Sequence, residues 1–391
     1  MDIFKQALLL HEKLEGKIET ALKMDITTKE ELALVYSPGV AQPCIEIAQN
    51  PETVYDYTIK KNTVAVVSDG SAVLGLGNIG PQAAIPVMEG KAMLFKKFAQ
   101  LNAFPICLDT QDVDEIVETV TRIAPVFGGI NLEDISAPRC FEIEDRLQHL
   151  GIPVFHDDQH GTAIVVLAGL INAAKVVGKN IFDLKVVING AGAAGGAICR
   201  LLKCIGDAET QVCTAVKEII ICDSQGIVHK DRPGLSREKM QMLEYTNERG
   251  TEGTLRDALK GADVFIGVSV DNLLTREDIE LMAKDPIIFA LANPIPEIMP
   301  EEAYKGGAKV VATGRSDMPN QVNNVLGFPG IFKGALEAKA TRITFAMKLA
   351  AAYAIADSIE NPTFDYIIPS SLDMSIPLRV AEAVRKAVNE K

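Results

Sequence analysis

A glycine-rich turn near the centre of the chain, residues 186–197 (VVINGAGAAGGA), limits the possible fold more than any other stretch. A β-rich run ends at the glycines, and a helix of small residues starts at once. Gly190, Gly192 and Gly195 fall as G-x-G-x-x-G. In a strand–turn–helix unit the first glycine allows the tight turn and the second lets a pyrophosphate approach the backbone. The third lets helix and strand pack closely. The helix start, at Ala193 and Ala194, then points unpaired N–H groups at the phosphates. Such a unit calls for an acid at the end of its second strand, to bind the ribose hydroxyls, about twenty residues on. The strand 218–222 ends in Asp223, 28 residues after Gly195, and a polar insertion at 207–214 accounts for the excess. The expectation is a Rossmann-like, doubly wound parallel sheet that binds a dinucleotide; the alternative is a glycine turn without a ligand.

A chain of 391 residues, 48% of them apolar, is long enough for two domains with real cores. The net charge of −13 argues against a nucleic-acid partner. It also means that an anionic substrate needs a local cation or metal. Seven cysteines, an odd number with no C-x-x-C pair, suggest reduced, mostly buried thiols and a cytoplasmic protein. The start of the chain reads as an amphipathic helix over 3–22 without the pattern of a signal peptide. The longest apolar run, 163–171, is too short to span a membrane.

Along the chain, Thr27 with Glu30 suggests a capping box opening a short helix that ends before Pro38, leaving Tyr36 at the helix exit. Strands are expected at 64–68, 106–108, 129–132 and 154–155, and again at 185–188, 218–222, 263–268, 287–291 and 309–312. Intervening helices complete an α/β pattern. One helix is expected from Thr162 to Val177, and a long one over 333–357. The chain divides near residue 158, into an α/β substrate domain (1–158) and a dinucleotide domain with C-terminal helices (159–391).

A second G-x-G-x-x-G occurs at Gly75, Gly77 and Gly80, also after a strand. Pro81, Pro86 and Gly90 follow it, which suggests a broken helix. This loop therefore reads either as a nest of backbone amides, around Gly77 and Asn78, for a small anion, or as a plain turn. Glu133, Asp134, Asp157 and Asp158 sit in pairs after two short strands. Converging carboxylates without cysteine suit Mg²⁺ or Mn²⁺; solvated loop acids are the alternative. His156 and His160 have the spacing of a zinc-protease helix but lack its glutamate, so local hydrogen bonding is the better reading. Lys91, in an apolar stretch, is either a snorkelling lysine or one desolvated into a base. Asn293, Asn323 and Asn324 are turn residues or crevice-lining ones.

Taken in order, YSPGVA, DGSAVLGLGNIG, IPVMEGKAMLF, NLEDI, HDDQHGTA, GAGAAG, ANP and NNVLGFPG resemble the malic enzymes, over nearly the whole chain and closest to the small-subunit prokaryotic type. The resemblance implies oxidative decarboxylation of (S)-malate to pyruvate and CO₂, with NAD or NADP and Mg²⁺ or Mn²⁺. It implies Glu133, Asp134 and Asp158 as metal ligands, with Asp157 beside them. Lys91 would be the general base, Tyr36 the general acid, and Asn293 and Asn324 substrate contacts. A homodimer is implied as well. Larger malic enzymes carry an arginine for a malate carboxylate where this chain has Ala72. The amides of residues 77–80, or Arg315, are the expected substitutes. Two other readings are a malolactic-type enzyme that retains its coenzyme and forms lactate, and a nucleotide-binding regulatory protein. Asp223 favours NAD, whereas Lys230 and Arg232 could accept a 2′-phosphate.

Overall fold

The computed structural model describes residues 3–205 and 215–389. The insertion expected at 207–214 lies outside them. The first sheet is parallel and four-stranded, in the order β2-β1-β3-β4. It consists of β1 (Thr63–Ser68), β2 (Asn102–Cys107), β3 (Gly129–Leu132) and β4 (Val154–His156). The second is six-stranded, in the order β10-β9-β8-β5-β6-β7. Its strands are β5 (Lys185–Asn189), β6 (Glu218–Asp223), β7 (Gly226–Ile227), β8 (Val264–Gly267), β9 (Ile287–Ala290) and β10 (Val310–Thr313). The short β7 pairs antiparallel with β6, so the doubly wound sheet is parallel except at this edge. The Val/Ile-rich runs of β1, β3, β8 and β9 are wholly buried, as strands covered on both faces must be.

The strand order reverses between β1 and β3 in the first sheet and between β5 and β8 in the second. Ligand crevices of open parallel sheets lie beyond the strand ends at these points. The chain leaves β3 into Glu133 and Asp134, and leaves β5 into Gly190.

One helix joins the two halves. Asp157–Val177 belongs to a core that takes in Val64 and Val66 of β1, Val186 and Ile188 of β5, and Val380 of the last helix. The apolar run 163–171 is thus part of a 21-residue helix long and apolar enough, by length and composition alone, to cross a membrane. Most of it is buried between the sheets, which is the physical reason for its composition.

Several local expectations are corrected. The first helix is Ile3–Leu14, not 3–22, and stops where Glu15 and Gly16 take positive φ. The capping box is one residue later, Thr28 with Glu31. Pro81–Ala99 is one unbroken helix: Pro81 sits in its first turn, where no N–H is needed, and Pro86 is tolerated inside. Helix quality therefore does not separate the two glycine motifs. The expected helix 333–357 is two, Phe328–Glu337 and Phe345–Ala356, broken where Lys339 has φ of 51° and restarted by the Thr344 cap. Cys204 is disulfide-bonded and Cys44 is exposed, against the expectation of seven reduced, mostly buried thiols.

The glycine motif at Gly190, Gly192 and Gly195 has the geometry its spacing implies. A Cβ on Gly195 would lie 1.8 Å from the Gly190 carbonyl oxygen, so helix and turn touch there. A Cβ on Gly192 would meet nothing within 4 Å, leaving its backbone open to a ligand. Gly195→Ala is expected to destabilise the chain by about 1–3 kcal/mol through overpacking, measured by urea unfolding. Gly192→Ala should leave stability unchanged within about 0.5 kcal/mol.

Candidate active site

The acids that follow β3 and β4 converge. Glu133 N donates to the Val67 carbonyl at 2.9 Å, extending the ladder by one residue. Asn131 Nδ2 donates to Glu133 Oε2 at 2.9 Å and orients the carboxylate. Asp134 then turns the chain with φ of 54°, a left-handed conformation that is costly for a non-glycine residue. The helix after β4 begins at Asp157, five residues before the expected start at Thr162. Asp157 and Asp158 thus lie in its first turn, where the helix field favours negative charge. Asp134 N donates to Asp158 Oδ2 at 2.8 Å.

Glu133, Asp134 and Asp158 each offer an oxygen, all within 4.8 Å of one another. Asp134 Oδ2 is buried with no hydrogen-bond partner. An all-oxygen, carboxylate-rich set with an unsatisfied buried atom fits a hard divalent cation such as Mg²⁺ or Mn²⁺.

Lys91 projects into this cluster from the helix Pro81–Ala99. Its Nζ lies 2.9 Å from Glu133 Oε1 and 2.5 Å from Asp157 Oδ2, and 4.1 Å from the Phe328 ring centroid. Asn324 Nδ2 donates to Asp157 Oδ2 at 3.1 Å, and Thr162 Oγ1 donates to Asn324 Oδ1 at 3.3 Å. Gly161 makes room: a Cβ there would stand 1.9 Å from Asp157 Oδ1. Burial alone would lower the lysine's pKa, but Asp157 and Glu133 outweigh it and raise it. Lys91 is thus desolvated, as one of the two readings of the sequence expects, while its two carboxylate partners favour the ammonium form. Burial likewise pushes Glu133 well above the usual carboxylate range and Asp157 upward. Asp134 is raised to about 7, by burial first and then by the Asp158 charge.

The remaining candidates lie elsewhere. Tyr36 follows the helix Lys29–Val35 with 69% exposure, and its hydroxyl has no hydrogen-bond partner among the described residues. Asn293 is exposed at the end of the β9 crossover. A Cβ on Gly75 would lie 2.7 Å from the Asn293 carbonyl oxygen, so that glycine serves the approach of the two halves. The amides of Ile79 and Gly80 already donate to the Gly70 carbonyl, which removes them from the proposed anion nest. Those of Gly77 and Asn78 have no acceptor among the described residues. Arg315 is held by Asp317 and the Pro294 carbonyl. His160 is helical and bonds Glu144, whereas both ring nitrogens of the fully buried His156 lack a hydrogen-bond partner, with Nδ1 lying 3.8 Å from Asp158 Oδ2.

Sequence reasoning missed Asn131, Gly161, Glu144 and Arg139. Asn131 and Gly161 sit inside NLEDI and HDDQHGTA and act through local contacts with Glu133 and Asp157. Glu144 and Arg139 lie in no motif and matter through contacts between distant segments. Arg139 Nη2 lies 2.8 Å from Asp69 Oδ2. For Glu144, burial alone would raise the pKa, but His160 and then Lys348 hold it down to about 2.

Asp223 ends β6 as expected, but its carboxylate is not free for a ribose. Arg232 bonds it through both terminal nitrogens, and Lys239 Nζ adds a contact at 2.6 Å.

Two α/β halves, a glycine turn at a sheet's switch point, and a lysine–carboxylate cluster between them define a coenzyme-dependent oxidoreductase architecture. The family described as malic enzyme, N-terminal domain, matches residues 15–148, and the malic enzyme NAD binding domain matches residues 159–389. A Bacillus subtilis protein named bifunctional malic/malolactic enzyme is 55% identical, over 100% of this chain and 94% of its own length. An NAD-dependent malic enzyme of Geobacillus stearothermophilus is 54% identical, over 99% of this chain and 79% of its own. The crystal structure of an NAD-dependent malic enzyme from Thermotoga maritima matches with a TM-score of 0.92 and 51% identity, covering 97% of this chain and 98% of that one. The chain belongs to the malic enzyme family.

Asp223 also has a consequence for acid stability. Burial alone would raise its pKa, but Arg232 and Lys239 bring it down to about 2. Below its unfolded value of about 3.9 the unfolded chain binds the proton first. The ion pairs therefore contribute fully above that value, and the contribution is lost as pH falls through about 2. The stability difference between wild type and Asp223→Asn should be constant above about pH 5 and shrink between about pH 4 and 2. Urea unfolding at a series of pH values checks this.

Proposed function

We propose that the chain converts (S)-malate to pyruvate and CO₂ by oxidative decarboxylation, with NAD or NADP and with Mg²⁺ or Mn²⁺. The observation that carries this reading is Lys91, buried between Glu133 and Asp157 at the edge of the three-carboxylate group. The nicotinamide supplies the hydride acceptor. A divalent cation held by Glu133, Asp134 and Asp158 supplies Lewis acidity for the decarboxylation and a charge partner for the substrate carboxylate.

The side chains divide the proton traffic. Lys91 Nζ takes the proton of the C2 hydroxyl. It can do so only when the negative charge around it is reduced, because its two carboxylates otherwise keep it an ammonium group. Asp157 anchors Lys91, and Asn324 anchors Asp157. Asn324 and Asn293 serve as substrate contacts, and the Gly77 and Asn78 amides are left to receive the second carboxylate. Tyr36 returns a proton to C3 of the enol left after CO₂ departs. Its exposure here means that closure over the substrate, or a second copy of the chain, must bring it to C3.

A homodimer belongs to the same reading. The helices Ile3–Leu14, Lys29–Val35 and Ala41–Gln49 bury no residue, and Leu8, Leu22 and Leu34 are 74%, 83% and 73% exposed. An apolar surface of this kind marks a contact with another chain. A boundary near residue 158 is kept as the division between substrate and coenzyme domains.

A malolactic activity is the second reading, favoured by the name of the Bacillus subtilis relative. Purified protein with (S)-malate and Mn²⁺ separates the two. Reduced nicotinamide appearing with equal pyruvate, and abolished by EDTA, supports the first; lactate without reduced coenzyme supports the second. Lys91→Ala should lose about 10²–10⁴-fold in kcat while coenzyme affinity stays within about twofold of wild type. Near-normal turnover would remove Lys91 from the mechanism.

Asp223 neutralised by two cations supports use of both coenzymes, since a lone carboxylate would repel a 2′-phosphate and this one is paired. Lys239→Ala should lower the kcat/KM ratio of NADP to NAD by about tenfold, equivalent to about 1.4 kcal/mol.

A further inference from the structure

Two separate arms of the chain carry the acids of the site, one leaving β3 and one leaving β4. The helix Arg139–Leu147, which contributes no residue to the cluster itself, touches both arms.

At its start, Arg139 pairs with Asp69 at 2.8 Å. Asp69 Oδ1 accepts from Ser71 N at 2.9 Å, and Ser71 Oγ accepts from Ser136 N at 2.9 Å. The next residue, Ala72, donates its N–H to the Asp134 carbonyl at 3.0 Å. The strained turn at Asp134 is thereby tied to the beginning of this helix.

One turn and a half further on, Glu144 reaches the other arm. Its Oε1 accepts from His156 N at 3.1 Å, and its Oε2 accepts from Gln159 Nε2 at 3.2 Å. Its carboxylate also pairs with His160 Nε2 at 2.9 Å, and Lys348 Nζ lies 3.1 Å from the other ring nitrogen of that histidine. The helix that begins at Asp157 has no side-chain cap of its own. Glu144 supplies that function from a distance: a carboxylate at a helix N-terminus accepts the N–H that would otherwise be orphaned. His156, Gln159 and His160 bracket Asp157 and Asp158, so gripping those three residues sets the direction of the two acids between them.

We infer that Glu144 is a positioning residue for the cation site, acting through the turn 156–160 to hold Asp158 against Asp134. The inference rests on the reading of Glu133, Asp134 and Asp158 as a divalent-cation site. Glu144 does not touch the cation or substrate. Its contribution is geometric, and outer partners of this kind are commonly worth about 10–100-fold in metal affinity.

The test is Mn²⁺ binding to the full-length protein without malate or coenzyme, read from the electron paramagnetic resonance signal of free Mn²⁺. NADH binding, read by fluorescence, reports on the other half of the molecule. Glu144→Ala is expected to raise the Mn²⁺ Kd by about tenfold or more while the NADH Kd stays within about twofold. Glu144→Gln should fall between wild type and alanine. It keeps one carbonyl oxygen for a turn N–H but cannot accept at its amide end. Glu142→Gln, on the exposed side of the same helix, should match wild type. If Glu144→Ala does not fold, the glutamine variant carries the comparison, with a several-fold rise in Kd expected.

An unchanged Mn²⁺ Kd in the folded variants overturns the inference. So does a parallel loss of Mn²⁺ and NADH affinity, which would mark a general structural role. The underlying site reading fails separately: wild type would not bind Mn²⁺, or Asp158→Asn would bind it as well as wild type does.

Discussion

Four carboxylates and one lysine share a buried corner at the ends of β3 and β4, and their charges do not balance. Lys91 can satisfy only Glu133 and Asp157 directly. Asp134 and Asp158 remain in contact with each other, and Asp134 keeps an unpartnered buried oxygen. Uncompensated charge in a poorly solvated place is expensive, and it shows here as raised carboxyl pKa values. A cation is the simple remedy. The same imbalance that would be a defect in a purely structural core is what makes the corner suited to chemistry.

The fold meets the cost of assembling that corner by bracing it from every side. The β1–β3 reversal opens the crevice, and the ladder bond from Glu133 to Val67 keeps the first acid in register. The helix Asp157–Val177 is held by apolar packing against both sheets, so its first turn cannot drift. Gly161 and Asn324 then leave Asp157 one place to sit. The helix Arg139–Leu147 ties the two arms together through Arg139 and Glu144.

Much of this was legible beforehand, because it depends on short-range patterns. Alternating β and α segments, both glycine motifs and the paired acids after short strands all follow from neighbours in sequence. The misreadings came from places where distant packing overrides a local rule. Pro86 and Gly90 argue against a helix by propensity, yet Pro81–Ala99 is continuous because its apolar face, with Met88 and Phe95, packs into the core. The loop that starts at Gly75 reads as a small-anion nest or a plain turn; Gly75 itself is a glycine because Asn293 comes close from the other half. Asp223 looked free, but Arg232 and Lys239 are brought to it by the turn after β7 and the helix Arg237–Met242.

The sequence by itself determined the class of fold, the dinucleotide turn and the identity of the residues with chemistry to offer, since spacing and residue type are local properties. Tertiary structure alone decided which of them meet. It brought Lys91 to Glu133 and Asp157, 42 and 66 positions away, and left Tyr36 exposed on the surface. It also decided their charge state, because a pKa depends on burial and on neighbours through space. No pattern along a chain records either until the sheets have closed around the helix between them.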